Sequence, residues 1–242
     1  MNYYRIQASL VAFYSAVFDV YADKDAYLTS EPVLQPSFCD QIVVLSPSEE
    51  KAERVKKKLF TIDREALFEI SRLLRHKRAD KQQLALCYLR EIVRGKVPVR
   101  GRFSDPVYAE VAFSLQQISF ELEHLKGFLR FTENEQGILY APYESDHEIL
   151  DLILPHFERR MGKIPFLIHD KKRDRLAIWN GSRHTFAVVA EDANYTPSEE
   201  EIKWQNLWKS YYLHVNIPLR MHEKQMRGSM PVRYWKYMPE KQ

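Results

Sequence analysis

Glycine and cysteine are scarce in this chain, and their scarcity removes whole classes of chemistry. Seven glycines in 242 residues leave little room for loops that cradle phosphates. Neither a GxxxxGK[ST] phosphate loop nor a glycine-rich dinucleotide turn occurs. Two cysteines, Cys39 and Cys87, are too few for a disulfide framework, a four-thiolate zinc site or an iron–sulfur cluster. HExxH and paired CxxC motifs are absent, as is the GxSxG elbow of serine hydrolases. No apolar run approaches the roughly 20 residues that span a bilayer. The N-terminus lacks the basic, apolar and small-residue succession of a signal peptide. The expectation is a reduced, cytoplasmic protein with no membrane association and no cofactor.

Enough is present for a sizeable core: 45% of residues are hydrophobic and 13% aromatic. The net charge of +3 hides a strong segregation. Residues 1–50 carry 2 basic and 7 acidic groups, whereas residues 51–102 carry 16 basic and 6 acidic. The sign reverses again over 103–202, with 10 basic and 18 acidic, and once more over 203–242, with 8 and 2. Blocks of this size polarise a surface. The basic block is an anion-binding face, the solvated side of helices, or a partner for the chain's own acidic block.

Apolar spacing predicts a short strand at 3–8, a helix over 10–21 and a connection over 23–40. Gln41–Leu45 is a compact β-branched run, expected to be a buried strand. Helices follow at about 48–60, 63–76 and 80–94, the first opened by a Ser46-Pro47-Ser48-Glu49 capping box. GKVPVRG (95–101) interrupts the pattern, and Asp105-Pro106 opens a long helix to His124 that Gly127 ends. Beyond it, 128–133 and 138–143 read as strands. A second capping box, Ser145 with Glu148, starts a helix that Pro155 should kink. A strand at 164–168 ends in His169-Asp170. Arg175–Trp179 and His184–Val189 form a hairpin about Asn180-Gly181. A third capping box at 196–199 opens a C-terminal helix. The aromatic, basic tail 230–240 should dock.

This reads as an α+β protein. Residues 1–123 form a mainly helical region with basic helices, 124–192 an antiparallel sheet module with a packed helix, and 193–242 helices docking back.

The segment 124–173 holds four of the eight histidines. Asp146-His147 sits in the first turn of a helix, where the aspartate complements the helix dipole. His147 is alternatively a general acid or base, or a phosphate contact. His169-Asp170 ends a strand, and Lys171, Lys172 and Arg173 begin a turn that is either solvated or phosphate-contacting. Arg130 lies between two hydrophobes on a strand, with Asp146 or Asp170 as its natural partner. His156 is expected in the core or at its boundary. The tail aromatics Tyr234, Trp235 and Tyr237 either pack or stack on bases.

Together, GFLRF (127–131), GILYAPYESDH (137–147), HFERR (156–160) and IHDKKR (168–173) resemble a bacterial family named "probable DNA metabolism protein", built on a domain of unknown function. AFYSAVFDVY (12–21), LWKSYY (207–212) and MPVRYWKYMPE (230–240) extend the resemblance over nearly the whole chain. The family's genes commonly neighbour a radical-SAM protein proposed to modify or repair DNA, and a related domain is fused to a uracil-DNA glycosylase-like protein. The resemblance implies a DNA repair accessory that binds DNA and works with a radical-SAM partner. It brings no established catalytic residues. Arg130, Lys171, Lys172 and Arg173 are the expected nucleic-acid contacts. Two alternatives stand beside this: an enzyme acting on DNA through His147, Asp146, His169 and Asp170, and a non-catalytic scaffold.

Overall fold

The computed structural model describes residues 2–32, 41–96, 98, 100–189, 196–215 and 223–242. The chain forms a mixed α+β structure in two compact units, Met1–Ser119 and Phe120–Gln242.

The first unit is built on a small parallel sheet that apolar spacing only partly foretold. Strand β1 (Asn2–Arg5) leads through helix α1 (Leu10–Val20) to β2 (Ala26–Thr29), and β3 (Gln41–Val44) pairs on the other side of β1. Both pairings are parallel, with Asn2 opposite Ala26 and Gln41. The span 23–40 was expected as a connection, yet β2 lies inside it; 33–40 lie outside the described residues. Four residues give too short a pattern for alternation to register. The Gln41–Val44 strand is exposed, not buried. It is an edge strand, covered on one side only by β1.

Helices α2 (Glu49–Ile62), α3 (Arg64–Leu73) and α4 (Lys81–Gly95) follow, and α5 (Pro106–Phe128) supplies residues to both units. Helix α2 is capped by Ser48, whose Oγ accepts from Lys51 N, rather than by Ser46. The second serine of that motif wins because Ser48 N also donates to Ser15 Oγ at 3.0 Å. Asp63 caps α3 through Glu65 N and Ala66 N. Val97 and Val99 of the expected GKVPVRG break lie outside the described residues. Leu28, Leu59, Ile70, Leu73, Leu86 and Leu89 sit at the centre of the core. Each such side chain contributes about 1.5–3 kcal/mol on burial. Helix α5 runs through Gly127 to Phe128, so the residues expected as a strand begin as helix.

The second unit carries a five-stranded sheet ordered β4 (Thr132–Glu133), β5 (Leu139–Tyr143), β6 (Phe166–Asp170), β7 (Arg175–Trp179), β8 (His184–Val188). It is mixed rather than purely antiparallel. The pair β5–β6 is parallel, because α6 (Leu150–Met161) crosses over between them. The other pairings are antiparallel. Helix α6 continues through Pro155 and buries Ile153, Leu154 and Phe157. Phe131 meets the Phe157 ring edge-on at 5.1 Å and the Phe166 ring at 5.6 Å.

The β7–β8 hairpin turns as its sequence demands. Asn180 Oδ1 accepts from Ser182 N and Arg183 N, and Gly181 adopts φ 92. A Cβ at Gly181 would stand 2.4 Å from the Lys163 carbonyl oxygen, so glycine is required there on two grounds.

Helix α7 (Glu199–Val215) is capped by Ser198, and α8 (Glu223–Ser229) precedes the tail. The tail docks, as expected: Tyr234 and Met238 are buried, and Tyr234 lies 6.1 Å from the Phe128 ring. Among the described residues no helix is long and apolar enough to cross a membrane.

Candidate functional site

Strands β5 and β6 end side by side, with Tyr143 opposite Asp170, and the two loops that leave them carry most of the predicted polar residues. Side chains alternate along a strand, so the register places Tyr143 and Asp170 on one face and His169 on the other. Asp170 is fully buried. Its carboxylate accepts from Arg173 Nη1 at 2.9 Å and from Lys172 N at 3.2 Å. Burial nevertheless wins and pushes the Asp170 carboxyl above the ordinary carboxylate value, with Arg173 pulling the other way. The same burial raises the Tyr143 phenol well above 10, and the neighbouring Asp170 adds to it.

Arg173 stitches the two loops together. Beyond Asp170, it donates to the carbonyl oxygens of Ser145 at 3.3 Å and Asp146 at 2.7 Å. Asp174 takes the left-handed φ of 50 that lets the chain turn directly into β7. The Asp146 carboxylate accepts from Arg233 Nη1 at 2.8 Å and faces Lys172 Nζ at 3.7 Å.

Behind Asp146 and His147 stands Glu121 of α5, which the sequence reading did not single out. Glu121 is buried and takes the backbone N–H of Asp146 on one oxygen and that of His147 on the other, each at 2.9 Å. Arg233 Nη2 lies 2.8 Å from it as well. The expected Ser145–Glu148 capping box is absent for this reason. Ser145 Oγ donates to the His147 carbonyl oxygen, and the adjacent N–H groups are satisfied from α5. Glu148 pairs with Arg175 instead.

The structure therefore brings Asp146, His147, Asp170, Lys172 and Arg173 into one neighbourhood with Glu121 and Arg233. Arg130 is not paired with either expected aspartate; Nη2 donates to Glu240 Oε1 and Nη1 to the Gly127 carbonyl, each at 2.8 Å. Lys171 continues the sheet edge, donating its N–H to Tyr143 O at 2.9 Å. His169 is buried, with Nδ1 2.7 Å from Tyr140 Oη. His156 packs edge-on against Phe157, and burial, with Lys126 and Arg160 beside it, lowers its pKa. Of the basic tail, Arg233 is spent on Glu121 and Asp146, and Lys236 on Glu144 at 2.5 Å.

Chemically this arrangement is a clasp. His169 and Asp170 leave β6 on opposite faces and both are buried, while the buried His147 has Nε2 4.0 Å from Glu121 Oε2. Among the described residues no group of His, Cys, Asp or Glu is placed to hold a metal ion.

A second surface lies on α2 and the start of α3. Arg54, Lys57, Lys58 and Arg64 are exposed, and the Lys57 charge helps to hold the Glu53 carboxyl below its ordinary value. Phe60 and Phe68 project beside them at 53% and 56% exposure. The Arg64 guanidinium lies 5.6 Å from the Phe60 ring, and Arg54 lies 4.8 Å from the Phe18 ring. Lys56, by contrast, is held by Glu53.

The sequence profile of the family described as "Domain of unknown function (DUF4130)" matches residues 79–240. The chain belongs to this family. The DUF4130 region begins just ahead of α4 and contains the whole Glu121–Asp146–Asp170 clasp. Helices α1, α2 and α3 precede it. No curated protein matches the chain.

Proposed function

We propose that this protein is a DNA-metabolism accessory that binds nucleic acid through the basic, aromatic face of α2 and α3, and that it acts with a radical-SAM repair partner. One observation carries the binding part. Exposed cations (Lys57, Arg64) alternate with exposed phenylalanines (Phe60, Phe68) on adjoining helix turns. Free cations neutralise phosphates and release counterions, while an exposed ring offers a face on which any base stacks. The turn Lys171–Arg173 is a poorer phosphate contact than its composition suggests. Arg173 is committed to Asp170 and two carbonyl groups, so a phosphate would have to displace them. The radical-SAM partnership rests on the family resemblance alone.

The test is fluorescence-anisotropy binding to single- and double-stranded DNA at low and near-physiological salt. Saturable binding that weakens steeply with salt is expected, with single strands preferred because their bases are free to stack. Lys57→Glu with Arg64→Glu should weaken it at least tenfold. No binding even at low salt would overturn the proposal and leave the scaffold reading.

A further inference from the structure

We propose that a cavity in the first unit binds a small amphipathic anion, an apolar chain ending in a carboxylate. The cavity lies among α1, α2 and α4 and measures about 360 Å³, at the small end of ligand-sized sites (about 300–1,000 Å³). Val55 and Val93 line it, over the buried Val17, Leu59 and Leu89 of the core. These side chains offer no hydrogen-bond donor or acceptor, so an aliphatic body loses nothing on entry and gains burial. A nucleobase would instead leave its polar edge desolvated and unpaired against the same walls.

The other lining residues differ in kind. Phe18 and Tyr21 are partly exposed aromatics, and Arg54 and Lys58 bring two positive charges one helical turn apart on α2. Neither cation has a carboxylate partner among the described residues. The Phe18 ring lies 4.8 Å from the Arg54 guanidinium and 5.9 Å from the Lys51 ammonium, which props the guanidinium against a wall of the opening. Lys51 itself is neutralised by Asp19 at 2.7 Å, leaving Arg54 and Lys58 as the uncompensated charge. An open apolar groove that also carries Arg54 and Lys58 is polarised, and a fatty-acid-like carboxylate matches that polarity from tail to head. A guanidinium takes a carboxylate in a two-pronged hydrogen bond that an alcohol cannot make.

Arg54 and Lys58 also belong to the basic α2 surface, so the test contains no nucleic acid. The full chain is titrated calorimetrically with sodium decanoate below its micelle-forming concentration, with decanol as the uncharged equivalent and acetate as the head alone. One saturable site for decanoate is expected, with decanol about tenfold weaker or more and acetate undetected. Arg54→Ala with Lys58→Ala, both on the surface, should bring decanoate down to the decanol level and leave decanol unchanged. Val93→Phe, filling the chamber, should weaken both ligands, with an unchanged melting temperature certifying the fold. Absent or multi-site decanoate binding would overturn the proposal. So would equal affinity for decanoate and decanol, or indifference to both sets of substitutions.

Discussion

Arg233 Nη2 lies 2.8 Å from Oε1 of the buried Glu121, and this contact ties the C-terminal tail to α5. The same carboxylate holds the backbone N–H groups of Asp146 and His147. Removing it strands three donors, one of them charged. Glu121→Ala should therefore cost about 3–5 kcal/mol in chemical denaturation of the second unit. Glu121→Gln should cost less, because one amide oxygen still accepts. A loss under 1 kcal/mol for the alanine variant would mean that the clasp is not what holds the 144–149 loop.

Asp170 and Arg173 form the second half of the clasp, and their energies should be strongly coupled. Arg173→Ala leaves a fully buried carboxylate without its guanidinium, at a cost of about 3 kcal/mol or more. Adding Asp170→Asn should recover part of that loss, so the double-mutant cycle will not be additive. The sign of the pH dependence follows from the raised Asp170 pKa. The native state holds this proton to a higher pH than the unfolded chain, so the group's contribution falls as pH rises from about 4. Asp170→Asn abolishes that fall, and its stability relative to the natural chain should improve as pH rises above about 4. A pH-independent difference would refute the assignment.

How far these features were legible depends on how local their causes are. The β7–β8 hairpin follows from Asn180-Gly181 and from alternation within ten residues, and its strands start and stop close to where the spacing puts them. The polar loop residues Asp146, Asp170 and Arg173 stand out because charge is unusual where strands end. Glu121 does not stand out, since a glutamate on a long helix looks like part of a solvated face. Only the tertiary return of 146–147 and 233 shows that it points inward. The parallel β5–β6 pairing is likewise invisible locally, because the α6 crossover sets it. The Ser145 motif misled for a related reason. Its spacing fits a cap, but the N–H groups beside it are taken by Glu121, 25 and 26 residues away. Edge position, which decides that Gln41–Val44 is exposed, is a property of the sheet and not of the strand.

His76 should make the first unit sensitive to acid. Its Nε2 lies 2.8 Å from Gln117 Oε1, and its Nδ1 accepts from Arg78 N at 3.1 Å, so the neutral ring with the proton on Nε2 satisfies both. Burial lowers its pKa, with the neighbouring Arg78 and Lys77 charges adding to the shift, although the Gln117 bond opposes it. The unfolded chain then binds a proton more readily than the native one below about pH 6.5. Stability from this group is present above that value and is lost as pH falls through it. His76→Gln should flatten the decline in melting temperature as pH falls below about 6.5. An unchanged slope would place the acid sensitivity elsewhere.

Phe60 and Lys57 should affect nucleic-acid binding in different ways, and the difference tests the surface as well as the affinity. Lys57→Ala removes one phosphate contact, so the slope of log affinity against log salt should become shallower by about 0.7 for a single strand. Phe60→Ala removes a stacking face that bears no charge, so affinity should drop about tenfold at every salt concentration with the slope unchanged. Phe60→Leu, which has no ring to stack, should behave like Phe60→Ala rather than like the natural chain. Lys172→Ala, at the committed loop of the clasp, should change neither slope nor affinity. If Lys172→Ala shifts the slope while Lys57→Ala does not, the phosphate path runs along the β6–β7 turn and the α2 face is a solvated helix surface.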